Sequence, residues 1–452
     1  MSLQLTKDVI YHVFYNLQLT INQFPHQQSV FKYMKLKQFT FTLVTLCLTI
    51  VFGPKAVQAA ELAVVVEGVS NARGISFDHE GNLYVAEPGI GGDGNCQPSP
   101  STLFQPICAG NTSSIVKVTP EGEVQRLFEG FQSLAEQPSG NQGAGIADLQ
   151  FDEEGNAYVL TGFAGYPGNR DSETYDLQNS IELPAQQAIF PPSTPDSLLN
   201  TPNLAKLYKV DLHTGEFTEI FDFGKYELTN NPDGGDIVTN PYDLAIKGDT
   251  AYVVDGGGNT TYAIKLDGSD VKAIPMPTQV IENPLFPPTP PGVEPFFLPG
   301  QTAERAIVQS VPTGVTVGPD GAVYVGEFTG FPYPEGKARI FRIGEDGVPE
   351  VFAEGFTHIT ELTFDHDGNL LVLQFSNIAQ WKGDIRDLPG SLIKVAPDGT
   401  RTTVIAEGQG LESADGIVVG PDGKVYITKR GVGPGFGQVV RVDAFDEAAE
   451  QY

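Results

Sequence analysis

The sequence predicts an all-β protein, a six-bladed β-propeller whose N-terminal strand closes the last blade. Three observations support this fold: a hairpin phrase occurs six times, further strand segments complete each unit, and a lone strand precedes the first unit. The composition agrees, because 51 Gly, 34 Pro and only 18% charged residues are typical of short strands joined by turns. A closed ring of repeats is one domain however long it becomes.

The repeated phrase is clearest at residues 75–87, with the sequence ISFDHEGNLYVAE. Alternating apolar residues form a first strand, a polar turn with Gly reverses the chain, and a second apolar strand follows. This hairpin supplies strands a and b of each unit. The other five copies lie at 149–159, 244–253, 315–325, 362–372 and 417–427.

Two further strands, c and d, complete each unit, as at 114–118 and 124–131 in the first. The sixth unit has a strand c at 437–442 but no strand d after it. The segment 62–69 resembles the d strands of other units. We therefore expect the N-terminal strand to complete the sixth blade, which leaves no sheet edge open.

The N-terminal region resembles a secretory signal. Residues 34–37 are basic, 39–52 form a 14-residue run without charge, and Val57-Gln58-Ala59 ends the segment with small residues. The run is shorter than the roughly 20 residues that a membrane-spanning helix needs. We predict a signal peptide at 34–59, an over-extended N-terminus at 1–33, and a propeller at 60–445 without a membrane anchor. An acidic tail follows at 446–452. The protein is then exported, to the periplasm or beyond.

Two cysteines remain after the predicted cleavage, Cys96 and Cys108, and both lie in one Gly- and Pro-rich loop. In an oxidising compartment such a pair is expected to form a disulfide.

The long insertions are predicted to share one face of the ring. In antiparallel four-stranded blades the b–c and d–a connections emerge on one side and the a–b and c–d turns on the other. The longest connections are b–c or d–a segments, and this face is where we expect a small molecule or a protein partner to bind. They are 88–112, 162–202, 277–309, 328–337 and 375–390.

The formal net charge of −29 excludes some partners. Such a surface repels nucleic acid and anionic lipid and favours cations or neutral ligands. The sequence also lacks the GxSxG, HExxH and P-loop motifs, so a serine or zinc hydrolase has no support and no catalytic residue is assigned.

Acidic residues are predicted to collect on the loop-rich face. Four stand where strand a begins beside the central channel, namely Asp148, Asp243, Glu361 and Asp415. Three end strand b on the same face, namely Glu87, Asp255 and Glu327, and are candidates for a ligand-binding face. Converging carboxylates are ligands that Ca²⁺ prefers. The alternatives are that they accept hydrogen bonds from strand-end amides or are solvated.

The signal peptide, the F-D-x-x-G-N-x-Y-V repeats and the Cys96–Cys108 loop resemble the ScyD/ScyE family of exported cyanobacterial six-bladed propellers, over roughly 61–445. That resemblance implies an exported binding or scaffold protein that assists scytonemin-type pigment assembly outside the cytoplasm.

A wider resemblance is to NHL and TolB-like propellers and to metal-dependent lactonases of the gluconolactonase type. Asp415-Gly416-Ile417 matches the lactonase phrase at a metal ligand, which implies a Ca²⁺-dependent hydrolase as the alternative function. The Asn-Gly ligand of those enzymes is not found. The equivalent slots hold Arg73, Ala147, Tyr242, Thr313 and Thr360.

Overall fold

The computed structural model describes residues 61–102, 105–184, 193–289, 292 and 294–443. The predicted N-terminal extension (1–33), signal peptide (34–59) and acidic tail (446–452) lie outside the described residues. Within the described part, no helix combines the length and apolar character needed to cross a membrane.

Six antiparallel sheets follow one another along the chain, and each is one blade, which confirms the predicted propeller. Blade 1 contains β2 (Ile75–Phe77), β3 (Leu83–Glu87), β4 (Cys96–Pro98), β5 (Pro106–Val118) and β6 (Val124–Glu136). Blade 2 contains β7 (Ile146–Phe151), β8 (Ala157–Thr161), β9 (Lys206–Asp211) and β10 (Glu216–Asp222). Blade 3 contains β11 (Pro241–Lys247), β12 (Thr250–Asp255), β13 (Thr260–Lys265) and β14 (Val271–Pro275).

The second half of the ring repeats this plan after a two-stranded arm, β15 (Gln279–Glu282) and β16 (Arg305–Val308). Blade 4 contains β17 (Pro312–Val317), β18 (Val323–Glu327), β19 (Ala338–Ile343) and β20 (Pro349–Phe356). Blade 5 contains β21 (Ile359–Phe364), β22 (Leu370–Gln374), β23 (Ser391–Val395) and β24 (Arg401–Ile405). Blade 6 contains β25 (Ile417–Val419), β26 (Val425–Lys429), β27 (Gly437–Val442) and, as its outer strand, β1 (Leu62–Val69).

Blade 6 is closed by the N-terminal strand, as predicted. β1 pairs antiparallel with β27, from Leu62 opposite Val442 to Val69 opposite Gly437. The Asp443 amide extends this ladder by donating to the Glu61 carbonyl at 2.9 Å.

The Asp and Asn of the repeated phrase build its turn. Asp78 Oδ1 accepts the backbone N–H groups of Glu80 and Asn82 at 2.9 and 2.8 Å, and Asp78 Oδ2 accepts the Tyr84 hydroxyl at 3.0 Å. Gly81 has a φ of 81°, a backbone conformation that disfavours other residues. The carboxylate of Asp78 therefore holds the turn together by accepting its N–H and O–H donors.

The Phe and Tyr of the phrase join neighbouring blades. Phe151 of blade 2 packs against Tyr84 of blade 1 with ring centroids 5.2 Å apart, and Phe77 packs against Tyr426 of blade 6 at 5.0 Å. Edge-on aromatic pairs of this kind are worth about 0.5–1.5 kcal/mol beyond their buried area. The same two positions thus complete a hairpin and hold it to the next blade.

Two short helices in the connections were not predicted. α1 (Ser172–Ser180) lies in the long b–c connection of blade 2, and α2 (Phe223–Asn230) lies between blades 2 and 3. Asp171 caps α1 by accepting the Thr174 amide at 2.9 Å. Arg170 is fully buried and pairs with Asp171 and with Asp222, the N-cap of α2. One buried cation therefore ties both helices to blade 2.

Cys96 and Cys108 form the predicted disulfide, with Cα atoms 4.0 Å apart. The two residues face each other across the β4–β5 ladder. Strand c of blade 1 is longer than predicted, since β5 begins at Pro106 and contains Cys108. The bond therefore fixes the first long loop against the blade at the loop-rich face.

Candidate functional site

The start of strand a places two successive residues of every blade beside the central channel. The second residue of each pair lies deeper, in what we term the inner layer, composed of Gly74, Asp148, Asp243, Gly314, Glu361 and Gly416. The preceding residues form the floor layer, composed of Arg73, Ala147, Tyr242, Thr313, Thr360 and Asp415. The structure therefore brings Asp148, Asp243 and Glu361 to one level and places Asp415 one residue closer to the loop-rich face.

The three acids of the inner layer connect blades. Asp243 Oδ2 accepts the Val315 amide of blade 4 at 2.6 Å, and Glu361 Oε2 accepts the Ile417 amide of blade 6 at 2.5 Å. Asp148 Oδ1 accepts the Leu149 amide at 2.8 Å and lies within hydrogen-bonding reach of the Asp243 carboxyl group. These contacts are the strand-end hydrogen bonds that the sequence left open as an alternative to metal binding.

The three acids of the inner layer all have raised pKa values. Burial, opposed mainly by hydrogen bonds from Gln150 and the Leu149 amide, raises the pKa of Asp148 to about 6. Burial and then the charge of Asp148 hold the pKa of Asp243 well above its usual range. Burial, followed by the charges of Asp243 and Asp148, does the same for the pKa of Glu361. Neighbouring carboxyl groups that cannot all ionise share protons instead.

The glycines of the inner layer give the acids their space. A side chain at Gly74 would collide with the Asp148 carboxylate. A Cβ at Gly314 would lie 2.7 Å from the Glu361 Cα, and one at Gly416 would lie 3.1 Å from Glu361 Oε2. Three acids and three glycines therefore fill the channel at this level.

The floor layer carries an aromatic ring between a cation and an acid. The Arg73 guanidinium lies over the Tyr242 ring, 4.4 Å from its centroid. The Tyr242 hydroxyl donates to Asp415 Oδ1 at 2.6 Å. Burial raises the pKa of Asp415 to about 6, against the lowering effects of Arg73 and of this hydrogen bond. The floor therefore offers both a positive charge and a carboxyl group whose pKa is raised toward neutrality.

Above this floor the loop-rich face encloses a pocket of about 210 Å³. Arg73, Tyr242, Thr313 and Asp415 line its base. Its walls come from connections in every blade and from the arm, and they are dominated by apolar and aromatic side chains. The aromatic residues of the wall are Phe296, Phe328, Phe331, Tyr333 and Phe375. The predicted elaborated face thus converges on one pocket over the channel.

Several lining residues adopt backbone conformations that are rare for their type. Val311 and Thr329 are β-branched but have φ values of 51° and 77°, and Tyr333 has a φ of 62°. Each such residue costs on the order of 1–3 kcal/mol, and these conformations occur preferentially at ligand sites. The Thr329 hydroxyl is also buried without a hydrogen-bond partner in the described structure.

The acids that end strand b are buried away from this floor and have local partners. Glu87 pairs with Arg126 of its own blade at 2.9 Å, and Glu327 pairs with Arg339 at 2.6 Å. Asp255 accepts the Thr239 hydroxyl at 2.5 Å, and its Oδ1 accepts three backbone amides, those of Asn240, Gly257 and Gly258. In each of blades 1, 3 and 4, these contacts stabilise the end of strand b.

The acids beside the channel are poorly arranged to hold a metal ion. Within the described residues, no group of three or more His, Cys, Asp or Glu side chains is arranged to hold one. Both Asp243 oxygens accept backbone amides, from Leu244 at 2.7 Å and Val315 at 2.6 Å. Ca²⁺ requires six to eight oxygen ligands, so these occupied carboxylates fit it poorly. The Ca²⁺ site at Asp148, Asp243, Glu361 and Asp415 stays a prediction.

The overall fold resembles several solved propellers. No family model matches the chain, and no curated protein matches it. A glucose dehydrogenase structure aligns with a TM-score of 0.46 and 11% identity, covering 85% of this chain and 99% of that one. Regucalcin from Agrobacterium tumefaciens, described as a calcium-binding protein, aligns with a TM-score of 0.44 and 11% identity, covering 85% of this chain and 94% of that one. Virginiamycin B lyase from Staphylococcus aureus aligns with a TM-score of 0.42 and 12% identity, covering 85% of this chain and 99% of that one. At this identity the likeness concerns the fold alone.

Two of the most informative site residues were not predicted as such. From the sequence, Arg73 and Tyr242 are noted only because they stand at positions equivalent to Asp415 where a lactonase could carry a metal ligand. The aromatic wall was not predicted either. Its signal is present in the b–c connection of blade 4, where 328–333 reads FTGFPY and five of the six residues, three of them aromatic, line the pocket.

Proposed function

We propose that this protein is an exported binding protein that holds a small aromatic ligand in the pocket over its central channel. The observation that carries the proposal is the pocket itself, with aromatic walls and a floor of Arg73, Tyr242 and Asp415. Ligand pockets are typically apolar concavities with a few fixed polar groups. The strained residues Val311 and Thr329 in its lining support the same proposal.

Export is supported by the Cys96–Cys108 disulfide, because such bonds persist in oxidising compartments. The ScyD/ScyE resemblance suggests the biological setting, in which the ligand is an intermediate of a scytonemin-type pigment handled outside the cytoplasm. An aromatic-walled pocket is compatible with that role.

The test uses the neutral fluorophore N-phenyl-1-naphthylamine, whose emission rises in apolar sites. We expect saturable binding to the purified protein with one site per chain. Phe331→Ala and Phe375→Ala should each weaken binding about tenfold, because each ring contributes to the wall. Phe352→Ala is the matched control, since Phe352 lies on the exposed surface of β20. Equal affinities for all four proteins would refute the pocket as the binding site.

A second candidate function is a Ca²⁺-dependent hydrolase, and one observation favours it. Asp415 lies on the pocket floor with a pKa raised to about 6 by burial, which suits a group that exchanges protons near neutral pH. The test is hydrolysis of an aliphatic lactone by the wild type and by Asp415→Asn, with and without chelator. Chelator-sensitive hydrolysis that Asp415→Asn abolishes would favour this candidate over simple binding.

A further inference from the structure

Arg73 is the one residue of the pocket floor whose hydrogen-bonding groups point to a particular ligand chemistry. Its Nε and Nη1 atoms are buried, and neither has a hydrogen-bond partner within the described structure. Its guanidinium lies over the Tyr242 ring, which contributes attraction to the charge but accepts no in-plane hydrogen bond. Two in-plane donors of this half-buried cation are therefore unused.

The nearby acid Asp415 makes no hydrogen bond to these donors, although the charge of Arg73 partly offsets the burial that raises the pKa of Asp415. Asp415 accepts the Tyr242 hydroxyl at 2.6 Å, and no ion pair joins Arg73 to any carboxylate in the part of the chain that the structure describes. A buried donor without an acceptor costs about 1–3 kcal/mol, and more when it carries charge. An acceptor supplied from the pocket would remove this cost.

The geometry of the group selects the acceptor. A guanidinium presents two planar pairs of N–H donors, Nε with Nη2 and Nη1 with Nη2, and either pair matches the two oxygens of a carboxylate. The Thr329 hydroxyl, buried and without a partner in the described residues, lines the same pocket and offers an additional donor. Arg73 of blade 1 and Thr329 of blade 4 are thus two residues that line the same pocket and carry polar atoms without partners.

The walls select the rest of the ligand. Phe328, Phe331, Tyr333 and Phe375 surround the space above Arg73. A cavity of about 150 Å³ lined by apolar side chains is known to hold benzene, so a space of about 210 Å³ suits a body of one or two rings.

We propose, on the basis of the proposed binding function, that the ligand is an aromatic carboxylate whose carboxylate pairs with Arg73 while its rings pack against the phenylalanine wall. This differs from the expectation drawn from the net charge of −29, which favours cations or neutral ligands. Charges farther than about 8 Å from the site are largely screened at physiological salt, whereas Arg73 would contact the ligand directly.

The test compares two probes of the same shape, 2-naphthoate and the neutral 2-naphthamide, by calorimetry at pH 7.5 in 0.15 M salt. We expect the wild type to bind 2-naphthoate at least tenfold more tightly. Arg73→Gln should abolish this preference by weakening 2-naphthoate binding, while 2-naphthamide affinity changes by less than about threefold. Arg73→Lys should retain only part of the preference, because it keeps the charge but loses the planar fork.

The outcomes separate this inference from the function on which it rests. Equal binding of both probes to the wild type, weakened alike by Phe331→Ala, would leave aromatic binding intact and overturn the carboxylate assignment. Arg73→Gln weakening both probes equally would show a structural role for Arg73 and overturn the assignment too. Failure of both probes to bind the wild type would overturn the binding function together with the inference.

Discussion

The Tyr242 hydroxyl of blade 3 donates to Asp415 Oδ1 of blade 6 at 2.6 Å, so one hydrogen bond spans the central channel between opposite blades. The two residues are 173 positions apart in sequence. The bond closes the base of the pocket and fixes the ring on which Arg73 rests.

Removing this hydroxyl should loosen the floor without removing its ring. Tyr242→Phe keeps the surface for Arg73 but leaves the buried Asp415 carboxyl without its donor, which costs roughly 1–3 kcal/mol. We expect a lower urea midpoint for the variant than for the wild type at pH 7. Tyr252→Phe, on β12 outside the pocket, is the control and should leave the midpoint nearly unchanged. Identical midpoints for both variants would show that the cross-channel bond contributes nothing to stability.

Glu227 provides a test of pH dependence outside the pocket. Burial, followed by the charges of Asp255 and Asp233, raises the pKa of this α2 side chain to about 10. Because the folded-state pKa lies above the ordinary value of 4.5, its stabilising contribution is complete below pH 4.5 and is lost progressively as the pH rises toward 10.

Glu227→Gln should therefore gain stability relative to the wild type as the pH rises from 5 to 8. The expected gain is at most about 4 kcal/mol, since the three pH units lie between the two pKa values and each corresponds to about 1.4 kcal/mol. Urea unfolding at both pH values measures it. The control is Glu345→Gln, an exposed turn residue, whose difference from the wild type should stay constant. A constant difference for Glu227→Gln as well would contradict the raised pKa.

The disulfide should protect the first long loop from proteolysis and support aromatic probe binding. Replacing Cys96 and Cys108 with Ser releases a loop closed over 12 positions, a constraint worth about 2–3 kcal/mol in the chain-entropy description. We expect faster proteolysis within 88–105 and a severalfold loss of aromatic probe affinity, because Pro100 and Ser101 line the pocket. Mass spectrometry of the first fragments locates the cut. A first cut elsewhere, at the wild-type rate, would argue against this local role.

Binding of aromatic probes should not require a metal. The walls and the Arg73 donors act without one, so affinity for N-phenyl-1-naphthylamine should be the same in chelator and in millimolar Ca²⁺. The wild type and Asp415→Asn are to be compared, with bound metal measured by elemental analysis. A tenfold loss in chelator that Ca²⁺ restores would instead place a cation in the pocket.

Much of the fold could be predicted because its signals are local and repeated. Asp78, Gly81 and Tyr84 build one turn through contacts within seven residues, and the same types recur in other blades. The site was harder to predict from the sequence. Arg73, Tyr242 and Asp415 meet only because ring closure brings blades 1, 3 and 6 around one channel, and no spacing along the chain encodes that distance. The two helices, of 9 and 8 residues, could not be predicted because they lie in connections that are not part of the repeat.

Closure of the ring by β1 also limits how the chain can mature. The outer edge of β27 is covered only by residues 62–69, and the ladder extends back to the Glu61 carbonyl. The predicted processing point after Ala59 leaves this strand whole, whereas trimming a few residues further would expose the edge of a Val-rich strand. Uncovered edges of that kind pair with other chains. Blade 6 is therefore completed only when 437–442 has been synthesised and can pair with 62–69, so the first strand of the propeller has no partner until β27 is made.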